Sequence, residues 1–293
     1  MIDKLGLKSY AKINLFLDVV AKYQNGYHGV EMVMQTINLY DSLFFEKKEA
    51  GISIHCQHSG VPEGRKNLIY QAVELMQDEF DLKGGLEIRL EKNIPVAAGL
   101  AGGSSNAAAT LRAVNQLWDL GLATAQLETY GAKLGSDVPF SLAGGTQLAT
   151  GRGTELEKLP FSPNLNLVVV NPPFEVSTAE IYKNFSLSQV EEHPKVDKLL
   201  QALKDSKKQE ILVNLENLLE LVSINRYPKI EEIKEIVAKQ TKKTLMSGSG
   251  PTVLGFVNSS KEAKLAVQKL KERLPSDYKI VEAATIDTGI KTI

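Results

Sequence analysis

The stretch that decides the fold reads P-V-A-A-G-L-A-G-G-S-S over residues 95–105 and runs directly into a helical pattern. Its glycines and alanines let backbone N–H groups approach an anion closely, and a helix after it adds free N–H groups and the positive end of its dipole. The segment matches neither GxxxxGK(S/T) nor GxGxxG, the two commonest nucleotide signatures. Taken alone, it is equally explained by an ordinary strand-to-helix turn with a serine cap. The loop therefore predicts phosphate binding, with a purely structural turn as the alternative.

The residues around the loop predict a strand before it and two helices after it. Residues 86–90 alternate between apolar and charged side chains, as in a half-buried strand. From about Ser105 the apolar residues recur at helical spacing, and a second helix is predicted from about Thr124 to Leu134. Because two antiparallel helices return the chain to its starting point, we expect Asp137 to lie beside the loop.

The composition is that of an ordinary globular chain. Its 293 residues carry a formal net charge of −1, so the total charge gives no reason to expect nucleic acid or an anionic membrane as a partner. No stretch approaches the roughly 20 apolar residues of a bilayer span, and the N-terminus lacks the apolar core of a signal peptide. The single cysteine, Cys56, cannot form an internal disulfide and lies in the alternating run 51–58. These features predict a cytoplasmic protein, with Cys56 half-buried in a strand.

A domain boundary is predicted near residues 157–165, where two prolines stand among polar residues. It divides the chain into an N-terminal domain, residues 1–160, and a C-terminal domain, residues 161–293. The second domain is predicted to be an α+β layer structure, because strand and helix patterns mix along it. Its predicted elements are strands at 165–170, 252–257 and 279–285, and helices with apolar stripes over 211–222 and 263–274.

Two glycine-rich segments resemble motifs of the GHMP kinase superfamily, named for galactokinase, homoserine kinase, mevalonate kinase and phosphomevalonate kinase. Residues 95–111, PVAAGLAGGSSNAAATL, resemble its second motif, with alanine at 97, 98 and 101 where glycine is frequent. Residues 245–257, LMSGSGPTVLGFV, resemble its third motif, a glycine turn that enters a strand. The resemblance implies a two-domain α+β fold, in which a ribosomal-protein-S5-like N-terminal domain precedes a ferredoxin-like C-terminal domain.

The same resemblance implies ATP as the phosphoryl donor and Mg²⁺ as the ion that bridges its phosphates. Ser105 is the expected metal contact, although the motif alone does not distinguish it from Ser104. The implied ATP-binding residues are Pro95, Val96, Ala97, Ala98, Gly99, Leu100, Ala101, Gly102, Gly103, Ser104 and Ser105.

The N-terminal segment narrows the resemblance to one family. Residues 9–19, SYAKINLFLDV, contain Lys12 and Asn14 in a Lys-x-Asn-Leu motif, and Gly-Tyr-His follows at 26–28. This combination is similar to the family of GHMP kinases that act on 4-diphosphocytidyl-2-C-methyl-D-erythritol. Residues 134–153, LGSDVPFSLAGGTQLATGRG, resemble a further segment of that family. By this match Asp137 is the catalytic base, oriented by Lys12.

Further residues are implied to contact the acceptor substrate. Residues 171–182, NPPFEVSTAEIY, resemble the family's Val-Ser-Thr segment. By these matches Asn14 and Thr178 contact the substrate, Tyr27 and Tyr182 sandwich the cytosine ring, and His28 reads the edge of the base. The segment ENLLE at 216–220 stands where many relatives have Asn-Asp-x-Glu. Because Leu218 replaces the acidic residue, we assign that segment no role.

The implied reaction transfers the γ-phosphoryl of ATP to the 2-hydroxyl of 4-diphosphocytidyl-2-C-methyl-D-erythritol, in the non-mevalonate isoprenoid pathway. The pathway implies a bacterial cytoplasmic enzyme, acting as a monomer or homodimer on a small molecule. One alternative is another GHMP kinase with a different alcohol substrate. A second alternative is a catalytically silent, nucleotide-binding regulator, which would be expected to lack Lys12 or Asp137.

Overall fold

The computed structural model describes residues 2–24, 26–160 and 163–293, which form two β-sheets with helices packed against them. The strands are β1 (Lys4–Lys22), β2 (His28–Lys48), β3 (Ile52–Cys56), β4 (Gly85–Glu91), β5 (Thr146–Thr150), β6 (Glu155–Lys158), β7 (Asn166–Asn171), β8 (Glu216–Asn217), β9 (Lys243–Met246), β10 (Val253–Val257), β11 (Lys279–Ala284) and β12 (Ile290–Thr292). The helices are α1 (Leu68–Phe80), α2 (Gly102–Leu117), α3 (Thr124–Leu134), α4 (Asp137–Ala143), α5 (Thr178–Asn184), α6 (Val196–Lys204), α7 (Lys208–Val213), α8 (Glu220–Arg226), α9 (Lys229–Ala238) and α10 (Ser260–Lys271), with a 3₁₀ turn at Leu187–Gln189.

The first sheet is built on the long antiparallel pair β1 and β2, which gives the central order β12-β1-β2-β4-β3. Strand β5 pairs with β2, β6 pairs with β5, and the short β8 runs parallel to β1. The predicted alternation in β4 is found, with Leu86, Ile88 and Leu90 buried. Cys56 ends β3 in a half-buried position, as predicted. Helices α1 to α4 bury their apolar residues with those of β1, β2 and β4 in one core.

The second sheet has four antiparallel strands in the order β11-β7-β10-β9. Along the chain its elements follow a β-α-β-β-α-β sequence, with β7, β9, β10 and β11 separated by helices at the two expected places. This is the ferredoxin-like arrangement. The predicted α+β fold is therefore confirmed. No helix in the described parts of the chain has the length and hydropathy needed to cross a bilayer.

The single helix predicted over 211–222 is wrong. Helix α7 ends at Val213, and β8 interrupts the stripe before α8 begins at Glu220. The interruption arises because Glu216 and Asn217 pair with β1. The apolar residues of the stripe are nevertheless buried, two of them in helices α7 and α8 and the others in the connections beside β8; they are Ile211, Leu215, Leu218, Leu219 and Val222.

The two predicted domains share structure across the boundary at 160/161. Strands β8 and β12 come from the second half of the chain but pair with β1 in the first sheet. The three hydrophobic cores of the described residues each contain residues from both halves, for example Ile13 and Phe256 in one and Val30 and Val168 in another. Phe161 and Ser162, at the boundary itself, lie outside the described residues. The boundary stays a prediction, and the halves are joined by continuous packing.

Candidate active site

The loop 95–105 contains three residues in the left-handed backbone conformation and leads into α2. Ala97, Gly99 and Ala101 have φ values of +49°, +73° and +53°. The helix begins at Gly102 with Ala101 as its N-cap, and no acidic side chain stands in its first turn. The N–H groups of this turn have no partners within the helix, and no carboxylate of that turn offsets the positive dipole end. The loop thus presents an anion-binding surface, although two of its left-handed positions are alanine.

Two residues of the loop face the protein interior, contrary to expectation. Ser105 is fully buried, and its hydroxyl donates a hydrogen bond to the Tyr10 carbonyl oxygen at 2.7 Å. It neither caps α2 nor lines the cavity, so its position does not support the expected metal contact at Ser105. Leu100 packs into the core, and its carbonyl accepts the N–H of Lys12 at 3.1 Å. Both residues fasten the loop to β1, and Ser104 is the serine that lines the cavity.

The glycine turn of residues 247–250 lies directly against this loop. The Ser247 hydroxyl donates to the Gly99 carbonyl oxygen at 3.0 Å. A Cβ atom on Gly99 would come within 2.2 Å of the Ser247 carbonyl oxygen, so only glycine permits this approach of the two backbones. The two glycine motifs, about 150 residues apart in sequence, thus form one surface.

A lysine and an aspartate meet beside the loop. Lys12 Nζ lies 3.8 Å from Asp137 Oδ2 and donates to Asn14 Oδ1 at 2.9 Å. Lys12 and Asn14 are almost completely buried, whereas Asp137 is partly open. Irregularities in the pairing of β1 with β2 flank Lys12–Asn14, and such bulges redirect side chains. The ammonium group is therefore held between an amide oxygen and a carboxylate.

Asp137 reaches this position through the predicted helical hairpin. Helix α2 runs away from the loop, α3 returns, and Asp137 is the first residue of α4. Both Asp137 and the loop line the same cavity. The expected proximity is found.

The same cavity is also lined by His28 and Tyr182. His28 is 8% exposed, and its Nε2 atom has no hydrogen-bond partner among the described residues. Burial, with a smaller effect from Lys22, lowers the pKa of His28, which favours the neutral imidazole. The ring of Tyr182 lies 5.3 Å from that of His28. Burial and then the charge of Asp137 raise the pKa of Tyr182, so its phenol is un-ionised.

The remaining predicted acceptor contacts also face this space. Tyr27 is 54% exposed, and the guanidinium of Arg152 lies 3.6 Å from the centre of its ring. Arg152 therefore covers one face of Tyr27. This contact was not part of the expected arrangement, in which the rings of Tyr27 and Tyr182 enclose the cytosine. Thr178 Oγ1 is hydrogen-bonded to Ser249 Oγ at 2.7 Å, next to the glycine turn.

One cavity of about 1440 Å³ connects these groups. It contains every predicted site residue except Leu100 and Ser105. The lysine–aspartate pair is linked to the loop through the Lys12 N–H, which donates to Leu100, and to the aromatic part of the cavity through Asp137, whose charge acts on Tyr182. The arrangement suits two ligands that meet at Asp137. Among the described residues, no cluster of three or more His, Cys, Asp or Glu suitable for a metal is found.

The sequence interpretation missed a buried carboxylate beneath the loop. Asp41 is fully buried and accepts hydrogen bonds from the backbone N–H groups of Asn93 and Ile94 at 2.6 and 2.8 Å, and from the Asn106 amide at 2.9 Å. It also binds the ammonium of Lys92, which lines the cavity. Burial lowers the pKa of Lys92, and the charge of Asp41 opposes that effect. The sequence did contain a signal for this buried carboxylate, because Asp41 is a lone acidic residue among the mainly apolar neighbours of β2.

Comparisons with known proteins agree with this geometry. The GHMP kinases N-terminal domain model matches residues 67–145, and the GHMP kinases C-terminal model matches residues 198–276. A homoserine kinase from Cytophaga hutchinsonii superposes with a TM-score of 0.78 at 20% identity, covering 100% of this chain and 98% of that one. That likeness concerns the fold alone.

More similar proteins carry a single name. 4-Diphosphocytidyl-2-C-methyl-D-erythritol kinase from Clostridium botulinum is 45% identical over 92% of this chain and 96% of its own length. The protein of the same name from Geobacillus kaustophilus is 47% identical over 87% and 88%. A crystal structure of 4-(cytidine 5′-diphospho)-2C-methyl-D-erythritol kinase superposes with a TM-score of 0.82 at 28% identity, over 96% of this chain and 99% of that one. The chain belongs to the 4-diphosphocytidyl-2-C-methyl-D-erythritol kinase family of the GHMP kinases.

Proposed function

We propose that the chain transfers the γ-phosphoryl group of ATP to the 2-hydroxyl of 4-diphosphocytidyl-2-C-methyl-D-erythritol, giving the 2-phosphate and ADP in the non-mevalonate isoprenoid pathway. The observation that carries the proposal is that the Lys12–Asp137 pair is linked both to the loop 95–105, through the Lys12 N–H bound to Leu100, and to Tyr182, which packs against His28. The names of the curated relatives support the same activity. A nucleotide-binding regulator is not favoured, because both residues of the pair are present.

The loop and the N-terminus of α2 are the proposed triphosphate site. Phosphoryl transfer depends on positioning and on neutralising charge, and the backbone N–H groups and helix dipole at this point do both. Lys92 adds an ammonium group beside Gly102, where a Cβ atom would lie 2.8 Å from its Nζ. The cavity continues past Lys92 to Val61 and Leu68. We propose that this apolar extension holds the adenine.

Asp137 is the proposed general base. Its carboxylate accepts the proton of the acceptor hydroxyl as the phosphoryl group is transferred. Lys12, fixed by Asn14, orients the carboxylate and offsets the negative charge that develops on the reacting oxygen. Because a carboxylate is a weak base, proton transfer occurs late, when the hydroxyl has become acidic.

The oxygen donors at this point also fit Mg²⁺. The Ser104 hydroxyl and the Asp137 carboxylate both line the cavity. Mg²⁺ is usually bound through one or two protein oxygens together with substrate phosphates, so a dedicated acidic cluster is not required. Mg²⁺ would supply charge neutralisation at the β- and γ-phosphate oxygens. We propose Ser104 in place of Ser105 as the serine contact.

The acceptor is proposed to occupy the part of the cavity beyond Lys12. His28 lines this part of the cavity, and its neutral ring is proposed to contact the edge of a cytosine. The side chains of Lys22, Arg152 and Lys183 line the same region. Cations placed there suit a diphosphate, which needs them when it leaves water.

The activity is tested by offering the purified chain ATP, Mg²⁺ and one alcohol at a time: the cytidine diphosphate substrate, homoserine or mevalonate. Phosphorus NMR identifies the phosphorylated product. We expect turnover of the first alcohol alone. Faster phosphorylation of homoserine or mevalonate would instead favour the alternative that the chain is a GHMP kinase with a different alcohol substrate. An Asp137→Asn preparation run in parallel controls for contaminating kinases.

A further inference from the structure

The segment Glu216–Ser223 has so far no role in the reaction, yet it holds the glycine turn of residues 247–250. Asn217, which is 2% exposed, donates both amide hydrogens, one to the Met246 carbonyl and one to the Gly248 carbonyl, each at 2.8 Å. Its amide oxygen accepts the N–H of Leu219 at 3.0 Å. Both donor hydrogens and one of the two acceptor directions of this amide are used, so its orientation is fixed.

Two further side chains of the segment complete the support. The Ser223 hydroxyl donates to the Ser249 carbonyl oxygen at 3.0 Å. Glu220 accepts the N–H of Met246 at 2.7 Å and also binds Lys234. The backbone from Met246 to Ser249 is therefore held on one side by side chains of β8 and α8.

The turn requires such support because it is intrinsically flexible. Gly248 and Gly250 have φ values of +55° and +86°, and glycine populates several backbone conformations about equally. Within the turn itself, Gly250 donates its N–H to the Ser247 carbonyl at 2.9 Å. The carbonyls of Met246, Gly248 and Ser249 are bound from outside, by the segment that contains Asn217.

The turn touches both halves of the cavity. Ser247 hydrogen-bonds to Gly99 in the anion-binding loop, and Ser249 hydrogen-bonds to Thr178 on the acceptor side. Between them, a Cβ atom on Gly248 would lie 3.8 Å from the Asn14 oxygen that binds Lys12. A shift of the turn would therefore change the spacing between nucleotide, lysine and acceptor together.

We propose that Asn217 is a positioning residue for phosphoryl transfer: it fixes the turn 247–250, and through it the distance between the two bound substrates. The inference rests on the proposed kinase function. Asn217 does not line the cavity formed by the described residues, so it acts only through the turn.

The test is Asn217→Asp, which keeps the size of the side chain and an acceptor for Leu219. In wild type the Asn217 amide group donates to the carbonyls of Met246 and Gly248. A carboxylate at this position can only accept, so it repels both carbonyl oxygens and displaces the turn. Misplacement of reacting groups by about 1 Å costs about 100-fold in rate, so we expect kcat to fall by about 10- to 100-fold. The dissociation constants of ADP and of the cytidine substrate, each measured alone by calorimetry, are expected to stay within about threefold of wild type.

Asn115→Asp is the matched control. Asn115 also supports a turn by donating to a carbonyl and accepting an N–H, here both of Leu122, at the far end of α2. We expect it to lower the melting temperature by a similar amount while leaving kcat unchanged. Equal kcat losses in both variants would reduce Asn217 to a structural residue and overturn the inference, as would an unchanged kcat in Asn217→Asp.

If Asn217→Asp does not fold, Ser223→Ala decides the question, because it removes only the hydrogen bond to Ser249. We then expect a kcat loss of about threefold at unchanged separate affinities; no loss would overturn the inference. Wild-type enzyme is assayed in the same experiment. An inactive wild type would contradict the proposed function and the inference with it, whereas an active wild type with an unaffected variant would contradict the inference alone.

Discussion

At Asp137, the position of one carboxylate next to a buried ammonium carries the proposed chemistry. Replacing it by asparagine preserves shape and removes the proton acceptor. We expect kcat to fall by about 1000-fold, within the range of general-base catalysis, while the affinity for ADP changes little. Steady-state kinetics and calorimetry measure the two effects. Asp119→Asn, at an exposed position, is the control for the substitution itself. Retention of more than a few per cent of wild-type kcat would exclude Asp137 as the base.

At His28, burial determines the protonation state. Its pKa is lowered from the ordinary value of 6.5, first by burial and then by Lys22. The unfolded chain therefore binds this proton at a higher pH than the folded chain, and the neutral form persists in the enzyme below pH 6.5. We expect the KM for the cytidine substrate to stay flat from about pH 8 down to 6.5 and to rise only at lower pH. The profile is compared with that of His28→Gln.

A rise in KM that begins above pH 6.5 in wild type would contradict the neutral-histidine interpretation. Loss of the low-pH rise in His28→Gln is expected, because glutamine does not titrate. An identical rise in both proteins would assign it to another group.

At the scale of elements, the contact between the anion-binding loop and the glycine turn allows no extra atom at Gly99. Gly99→Ala combines a left-handed alanine with a Cβ that would lie 2.2 Å from the Ser247 carbonyl oxygen. We expect it to lower the free energy of unfolding by about 2 kcal/mol or more and to raise the KM for ATP. Urea denaturation and kinetics measure these changes.

Ala101→Gly is the opposite change in the same loop. Ala101 already has a φ of +53°, which costs an L-residue about 1 kcal/mol. Glycine relieves that strain, although it also adds entropy to the unfolded chain. We expect stability equal to wild type or higher by up to about 1 kcal/mol. A Gly99→Ala protein as stable as Ala101→Gly would show that the loop and turn do not touch as described.

At the scale of the whole molecule, the two halves are expected to fold as one unit. Strand β1 pairs with β8 and β12 from the second half, and the three hydrophobic cores of the described residues each contain residues of both halves. Separately produced fragments 1–160 and 161–293 would each expose such a core, so we expect neither to show a cooperative thermal transition. The intact chain is expected to unfold in one transition. Calorimetry tests both, and two separate transitions in the intact chain would contradict the prediction.

The outcome for individual residues shows where prediction from sequence succeeds. Asp137 was expected beside the loop because a helical hairpin returns the chain by local geometry alone, and it lies there. The helix over 211–222 was wrong, because apolar spacing does not reveal that Asn217 pairs with β1. The inward position of Ser105 was not foreseen for a similar reason: two adjacent serines look alike in sequence, and only the packing of α2 on β1 turns one of them inward.

The sequence by itself determined the glycine-rich loop, the helix that follows it, the approach of Asp137 and the family, since these depend on local conformation and on short motifs. The tertiary structure decided which serine faces the cavity, that Asp41 lies beneath the loop, and that Asn217 supports the glycine turn. The physical reason is that these contacts join residues far apart in the chain. Their formation depends on how sheets and helices pack, which the spacing of residue types along one segment does not encode.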